Sequence, residues 1–255
     1  MLTRAISLFA GAALLAGCST GGTDASGAVD APLTSADISM LFMGNSHASL
    51  NNLQAMVTDM QRSAVPAKTA ASADAPGWMF LDERLHHQPS LDLLQGQDWS
   101  VVVLQAQKYS SSGNFEYSTT EAAALIRLAR QQNALPVLFP EWARRGVDET
   151  RRIYDLHVSI AQQEPACVAP IGQAWDLSLS RHPEMPLHAS DGNHANAAGS
   201  FLAALMLFAT ISELSPLMVG HLAQFPVSET DQARLRAVAD DTVQAWPPRR
   251  WCPAD

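Results

Sequence analysis

The chain has 255 residues, 47% of them hydrophobic, and a formal net charge of −9. That length and apolar content suit one sizeable domain with a proper core. The acidic balance argues against nucleic acid and against an anionic lipid surface as partners.

The first 18 residues read as an export signal rather than as part of the fold. Arg4 supplies a positive start and Ala5 to Ala16 a mostly apolar run, shorter than the roughly 20 residues that a membrane span needs. Leu15-Ala16-Gly17-Cys18 resembles a bacterial lipobox, which implies cleavage before Cys18 and lipidation of its thiol. Ser19 follows where an aspartate would imply retention at the inner membrane, so the same resemblance points to the outer membrane, facing the periplasm. Loss of Arg4 with the signal takes the charge to −10. Membrane attachment is then through the lipid alone. Residues 19–36, rich in Gly, Ser, Thr, Asp and Ala, read as a flexible tether, which leaves 37–255 as a single domain.

Ile38 to Met43 is an apolar run with the length of a buried parallel strand. It stops at Gly44-Asn45-Ser46-His47, and Leu53, Met56, Val57 and Met60 then recur at helical spacing. Val65 to Ala73 is alanine-rich and ambiguous, a weak second strand by position. Pro76-Gly77 breaks it, and Trp78 to Gln95 reads as two short helices around Pro89. Ser100 to Leu104 is the clearest strand, ending in Gln105-Ala106-Gln107. A polar loop, 108–118, leads to a helix capped by Thr119 or Thr120. Leu135 to Phe139 is the next strand, followed by a helix from about Asp148 to Gln163. Cys167 to Ile171 reads as the last strand, closed by Gly172, with a helix through Trp175 and Leu179 behind it. Phe201 to Ile211 is a continuous apolar run too short to span a membrane, hence a buried helix. Residues 229–245 form a final amphipathic helix capped by Ser228. Strand and helix alternate throughout, which argues for a parallel sheet covered on both faces.

Two stretches carry chemistry. Ser46 sits at the carboxyl end of the first strand, where open α/β sheets bind ligands; a serine there is a nucleophile if a base removes its proton. Asp191 and His194 are three apart just before the buried helix. That spacing lets the carboxylate hold the imidazole Nδ1–H while Nε2 faces outward. Neither stretch alone distinguishes a triad from a βα loop and a capping aspartate. Cys167 and Cys252 form either a disulfide tying the C-terminal tail to the body or two buried free thiols. His86 and His87 are adjacent and diverge, and no histidine or cysteine spacing suggests a metal site.

Taken together, Gly44-Asn45-Ser46 resembles the first block of the SGNH (GDSL-type) hydrolase superfamily, and Asp191-Gly192-Asn193-His194 with Ala195-Asn196-Ala197-Ala198-Gly199 resembles its last. The resemblance implies a flavodoxin-like three-layer α/β/α sandwich with a five-stranded parallel sheet. It also implies ester hydrolysis without a cofactor: Ser46 as nucleophile, His194 as base then acid, Asp191 as its orienter. The family's Gly-x-Asn-Asp block is absent. The implied oxyanion hole is therefore the Ser46 N–H, Gly77 (or Pro76-Gly77 is a plain turn) and the carboxamide of Gln105 (or that glutamine ties down a loop). Asn45 and His47 are candidate pocket residues, His47 alternatively a solvent-facing loop histidine. Trp142 either walls the pocket or belongs to the core. By family habit the substrate is an ester releasing a short acyl group, such as acetyl, from a carbohydrate. An envelope acyltransferase with the same triad and an inactive glycan-binding lipoprotein are the alternatives.

Overall fold

The computed structural model describes residues 35–254. The expected export signal, Cys18 and the expected tether up to residue 34 lie outside the described residues. Just ahead of the first strand, the Asp37 carboxylate accepts from both the N–H and the hydroxyl of Thr69 at 2.8 Å.

Five parallel strands, β1 (Ile38–Met43), β2 (Ala70–Asp74), β3 (Val101–Gln105), β4 (Leu135–Phe139) and β5 (Cys167–Val168), form one sheet in the order β2-β1-β3-β4-β5. The period-two alternation of β1 divides the core into two layers. Met40 and Phe42 pack on one side with α2 (Leu53–Ala64), α7 (Ile171–Arg181), α8 (Ala197–Ser212) and α9 (Glu229–Ala245). Leu41 and Met43 pack on the other with α3 (Leu81–Arg84), α4 (Gln88–Gln95), α5 (Thr120–Gln131) and α6 (Thr150–Gln163). The three layers expected from the sequence are all present. Strand order reverses beside β1, so a crevice opens where β1 and β3 end. At that crevice the short helix α1 (Ser46–Ser49) begins.

The core explains the long apolar run near residue 200. In α8, Gly199 to Thr210 are all buried, because α2, α7 and α9 surround it on the sheet. A Cβ on Gly199 would sit 2.4 Å from both the Leu187 carbonyl and the Trp175 ring, so this close approach admits glycine alone. Among the described residues no helix is long and apolar enough to cross a membrane.

Several expectations shift in position. The second strand occupies only the end of the alanine-rich segment: Ala70 pairs with Ile38 at the sheet edge. Pro89 lies in the first turn of α4 rather than between two helices, where its missing N–H costs nothing. Neither Thr119 nor Thr120 caps α5 with its side chain; Ser118 Oγ accepts from the Thr120 N–H at 3.2 Å. The last strand is just two residues long, and Gly172 lies inside α7. There its missing side chain leaves room for Thr150, whose Cγ2 would be 2.9 Å from a Cβ.

Cys167 and Cys252 form a disulfide in the structure, spanning 85 residues. Around it the tail follows β5: Ala166 N–H donates to Trp251 O at 3.0 Å and Val168 N–H to Pro248 O at 3.1 Å. The tail thereby covers the outer edge of the sheet. Cys252→Ser removes a long-range cross-link and should lower the unfolding free energy by about 4 kcal/mol in guanidinium denaturation. A loss under about 1 kcal/mol would mean the backbone bonds hold the tail without it.

Candidate active site

The site is built from the ends of β1 and β3 and from the loop before α8. Beyond β1, Asn45 is extended and caps α1: its Oδ1 accepts from the His47 N–H at 3.1 Å. Ser46 is the first residue of α1, so its N–H has no acceptor within that helix. Helical periodicity then fails for a physical reason, since Asn51 and Asn52 both adopt positive φ, at 57° and 55°. Asparagine tolerates this conformation better than most residues. The Asn51 carboxamide crosses to the other loop, donating to Ala195 O at 3.0 Å and Ser200 Oγ at 2.9 Å.

The histidine loop is anchored independently. Trp142 Nε1 donates to Asn193 O at 2.8 Å, Arg145 N–H donates to Gly192 O at 2.8 Å, and Ala189 N–H donates to His194 O at 2.7 Å. Asp191 Oδ1 accepts from the N–H groups of Asn193 and His194 at 2.9 and 3.0 Å. Its other oxygen lies 2.5 Å from His194 Nδ1. The hydrogen bond from His194 and those two backbone donors hold the Asp191 carboxyl well below the usual carboxylate range. As an ionised carboxylate only accepts, the His194 proton lies on Nδ1. Nε2 then presents its lone pair to Ser46 Oγ, 2.9 Å away. Residues 46, 191 and 194 thus form one continuous hydrogen-bonded row.

Ser46 and His194 open into a pocket of about 540 Å³ whose lining includes Asn45, His47, Phe80, Gln107, Lys108, Tyr109, Tyr117, Glu141 and Arg144. Lys108 lies over the Phe80 ring at 4.9 Å and pairs with Asp82 at 2.6 Å. Burial pushes the Glu141 carboxyl up to about 7, against the hydrogen bond it receives from Gln105. His47 lies between two rings, 4.8 Å from His194 and 5.3 Å from Trp142 by centroid. Burial, together with the neighbouring His194, pushes it down to about 4. It is therefore neutral in the pH range where an imidazole base operates. His47 is in the lining of the pocket beside Ser46.

Three expected residues play other parts. Gln105 is fully buried and absent from the pocket lining: its Oε1 accepts from the Asn45 N–H and its Nε2 donates to Glu141, both at 2.8 Å. It ties down a loop and offers nothing to an oxyanion. Gly77 also lies outside the lining. Its φ of +75° makes a turn, and its carbonyl accepts from Arg84 at 2.7 Å. Trp142 is 2% exposed and stacked on Trp175 at 4.3 Å, a core residue that fastens the histidine loop instead of walling the pocket.

Arg84, Asn51 and Glu141 escaped the sequence reading. Arg84 is fully buried, whereas arginine in a short polar helix normally reads as solvent-facing. The Asn51-Asn52 pair did carry a signal, since two asparagines interrupting a helical pattern mark left-handed backbone. Among the described residues no group of three His, Cys, Asp or Glu side chains could hold a metal ion.

No protein-family model and no curated protein matches the chain. Solved structures do. One is a candidate SGNH hydrolase from Slackia heliotrinireducens, 22% identical, with a TM-score of 0.51 covering 66% of this chain and 96% of that one. The fold is that of the SGNH hydrolases. A DUF4886-family protein from Bacteroides uniformis is 14% identical with a TM-score of 0.61, covering 82% of this chain and 95% of its own. TesA is 18% identical with a TM-score of 0.51, covering 68% and 98%. At these identities the likeness is one of fold. Within that SGNH-type fold, Ser46 follows the first strand and His194 precedes α8.

The neutrality of His47 is directly measurable. Its ring protons should titrate in NMR with a midpoint near 4, against about 6.5 for a free histidine. A midpoint above 6 would place the ring in water instead of between His194 and Trp142.

Proposed function

We propose that this protein hydrolyses carboxylic esters by serine chemistry, with Ser46 as nucleophile, His194 as general base and then acid, and Asp191 as the carboxylate that orients it. The observation that carries this reading is the hydrogen-bonded row from Ser46 Oγ through His194 to Asp191. In the first half-reaction Oγ bonds to the ester carbonyl carbon as its proton passes to Nε2. The carbonyl oxygen becomes an alkoxide, for which the Ser46 N–H, without an acceptor inside its helix, is the proposed donor. As the tetrahedral intermediate collapses, the alcohol leaves with the proton from Nε2, and Ser46 remains acylated. Water then repeats the sequence in reverse roles and releases the acid. Asp191 keeps the tautomer and stabilises the imidazolium formed in each half.

The alcohol half of the substrate is read as a carbohydrate and the acyl half as short, acetyl being the simplest. The reading is supported by a pocket that mixes Lys108, Glu141, Arg144 and Gln107, able to hydrogen-bond hydroxyls, with Phe80 and Tyr117, whose flat rings a sugar can stack on. Trp78 and Phe115 are further exposed rings on the same two loops. On the strength of Leu15-Ala16-Gly17-Cys18 the protein is also read as an exported lipoprotein of the cell envelope.

Two experiments test these statements. With p-nitrophenyl acetate, Ser46→Ala and His194→Ala should each lower kcat by about 10⁶-fold, the double variant no further, and Asp191→Asn by about 10⁴-fold. Acetylated oligosaccharides should outcompete p-nitrophenyl esters of ten-carbon acids. Near-normal hydrolysis by Ser46→Ala would end the reading. Separately, cells expressing the full chain should incorporate labelled fatty acid into it, and Cys18→Ala should abolish that incorporation; label retained in the variant would refute lipidation at Cys18.

A further inference from the structure

The peptide unit between Gly44 and Asn45, immediately before Ser46, is gripped at both ends. Its carbonyl accepts from Arg84 Nη2 at 2.6 Å, and its N–H donates to Gln105 Oε1 at 2.8 Å. Gln105 Nε2 donates in turn to Glu141 Oε2 at 2.8 Å. The polarity of this row is forced. The Asn45 N–H can only donate, so Gln105 Oε1 must face it and Nε2 must face Glu141, which leaves the carboxamide one possible orientation. A cation stands at one end and a carboxyl group at the other, and each bond polarises the next in the same sense.

The surroundings leave the row little freedom. Arg84 and Gln105 are both 0% exposed. Arg84 also donates to Pro76 O at 3.0 Å, Gly77 O at 2.7 Å and Ser90 Oγ at 2.8 Å, so it fastens the loop after β2 to the turn after β1. Gly44 lacks a side chain for cause: a Cβ there would lie 2.5 Å from Gln105 Oε1. Parallel pairing of Met43 with Leu104 puts Gln105 beside this peptide. The charged and titratable groups acting on Glu141 are Glu149, Arg144, Tyr109 and His194, and Asp74 acts on Arg84.

We propose that Arg84, Gln105 and Glu141 are positioning residues that fix the Gly44–Asn45 peptide and thereby hold the Ser46 hydroxyl in line with His194. The proposal rests on Ser46 being the nucleophile, since only then does its placement govern a rate. A displacement of about 1 Å at a reacting atom costs on the order of 10²-fold in rate. A turn of this peptide would carry the Asn45 cap and Ser46 with it. Arg84 and Gln105, both outside the pocket lining, act in this way without touching substrate.

The test uses the full chain carrying Gln105→Leu, Glu141→Leu or Glu141→Gln, with kcat and KM for p-nitrophenyl acetate and hydrogen exchange at the Asn45 amide as readouts. Both leucine variants should lose about 30- to 100-fold in kcat, and Gln105→Leu, at a position outside the pocket lining, should keep KM within about threefold. Glu141→Gln should be at least about tenfold faster than Glu141→Leu, because an amide oxygen accepts the same bond from Gln105 and leucine cannot. Asn45 exchange should quicken at least about tenfold in Gln105→Leu. If a leucine variant does not melt cooperatively, Gln105→Asn, too short to span the gap, replaces it with the same expectation. Unchanged kcat and exchange in the Gln105 variant would overturn the proposal, as would a Glu141→Gln enzyme as slow as Glu141→Leu. Should the wild-type protein fail to hydrolyse esters, the reading of Ser46 falls, and the exchange arm alone decides whether the row holds the turn.

Discussion

The site exists because two loops 148 positions apart in sequence are held at hydrogen-bond distance, Ser46 Oγ to His194 Nε2 at 2.9 Å. That bond alone is too weak to assemble them, since a net hydrogen bond contributes only about 1 kcal/mol. The loops are instead placed by the fold and then fastened. The sheet ends β1 at the crevice, α8 is locked in the core, and Asn51 and Trp142 tie the loops to each other and to the body. Each fastening spends a polar group that would otherwise be buried unpaired, so loosening the site carries a desolvation cost.

The electrostatics follow from the same packing. A row of rings runs from Trp175 through Trp142 and His47 to His194, with centroid separations of 4.3, 5.3 and 4.8 Å. It keeps water from one side of the imidazole and keeps His47 uncharged, so no second cation competes with the imidazolium that the proposed reaction forms. On the far side of the pocket, Glu141 and the Arg144–Glu149 pair bring charge into a partly dry space.

Much of the fold was legible because periodicity reports burial. The runs Ile38 to Met43, Ser100 to Leu104 and Leu135 to Phe139 could be read as strands, since an unbroken apolar run of that length has few other uses. The cap of the last helix, Ser228, is likewise a local fact. The edge strands were harder. β2 is alanine-rich and β5 has two residues, and each owes its conformation to the neighbour it pairs with more than to its own composition.

By itself the sequence determined the alternation of strands and helices, the buried α8, and the residue types at 46, 191 and 194 that suit acyl transfer. These are local properties, set by side-chain chemistry at fixed spacing. Only the tertiary structure decided that Gln105 faces a backbone amide and Glu141 in place of the pocket, that Trp142 stacks in the core, and that Arg84 is buried against the turn before Ser46. Those outcomes depend on which groups from distant segments compete for the same donors and the same volume, and that competition is settled when the layers pack together.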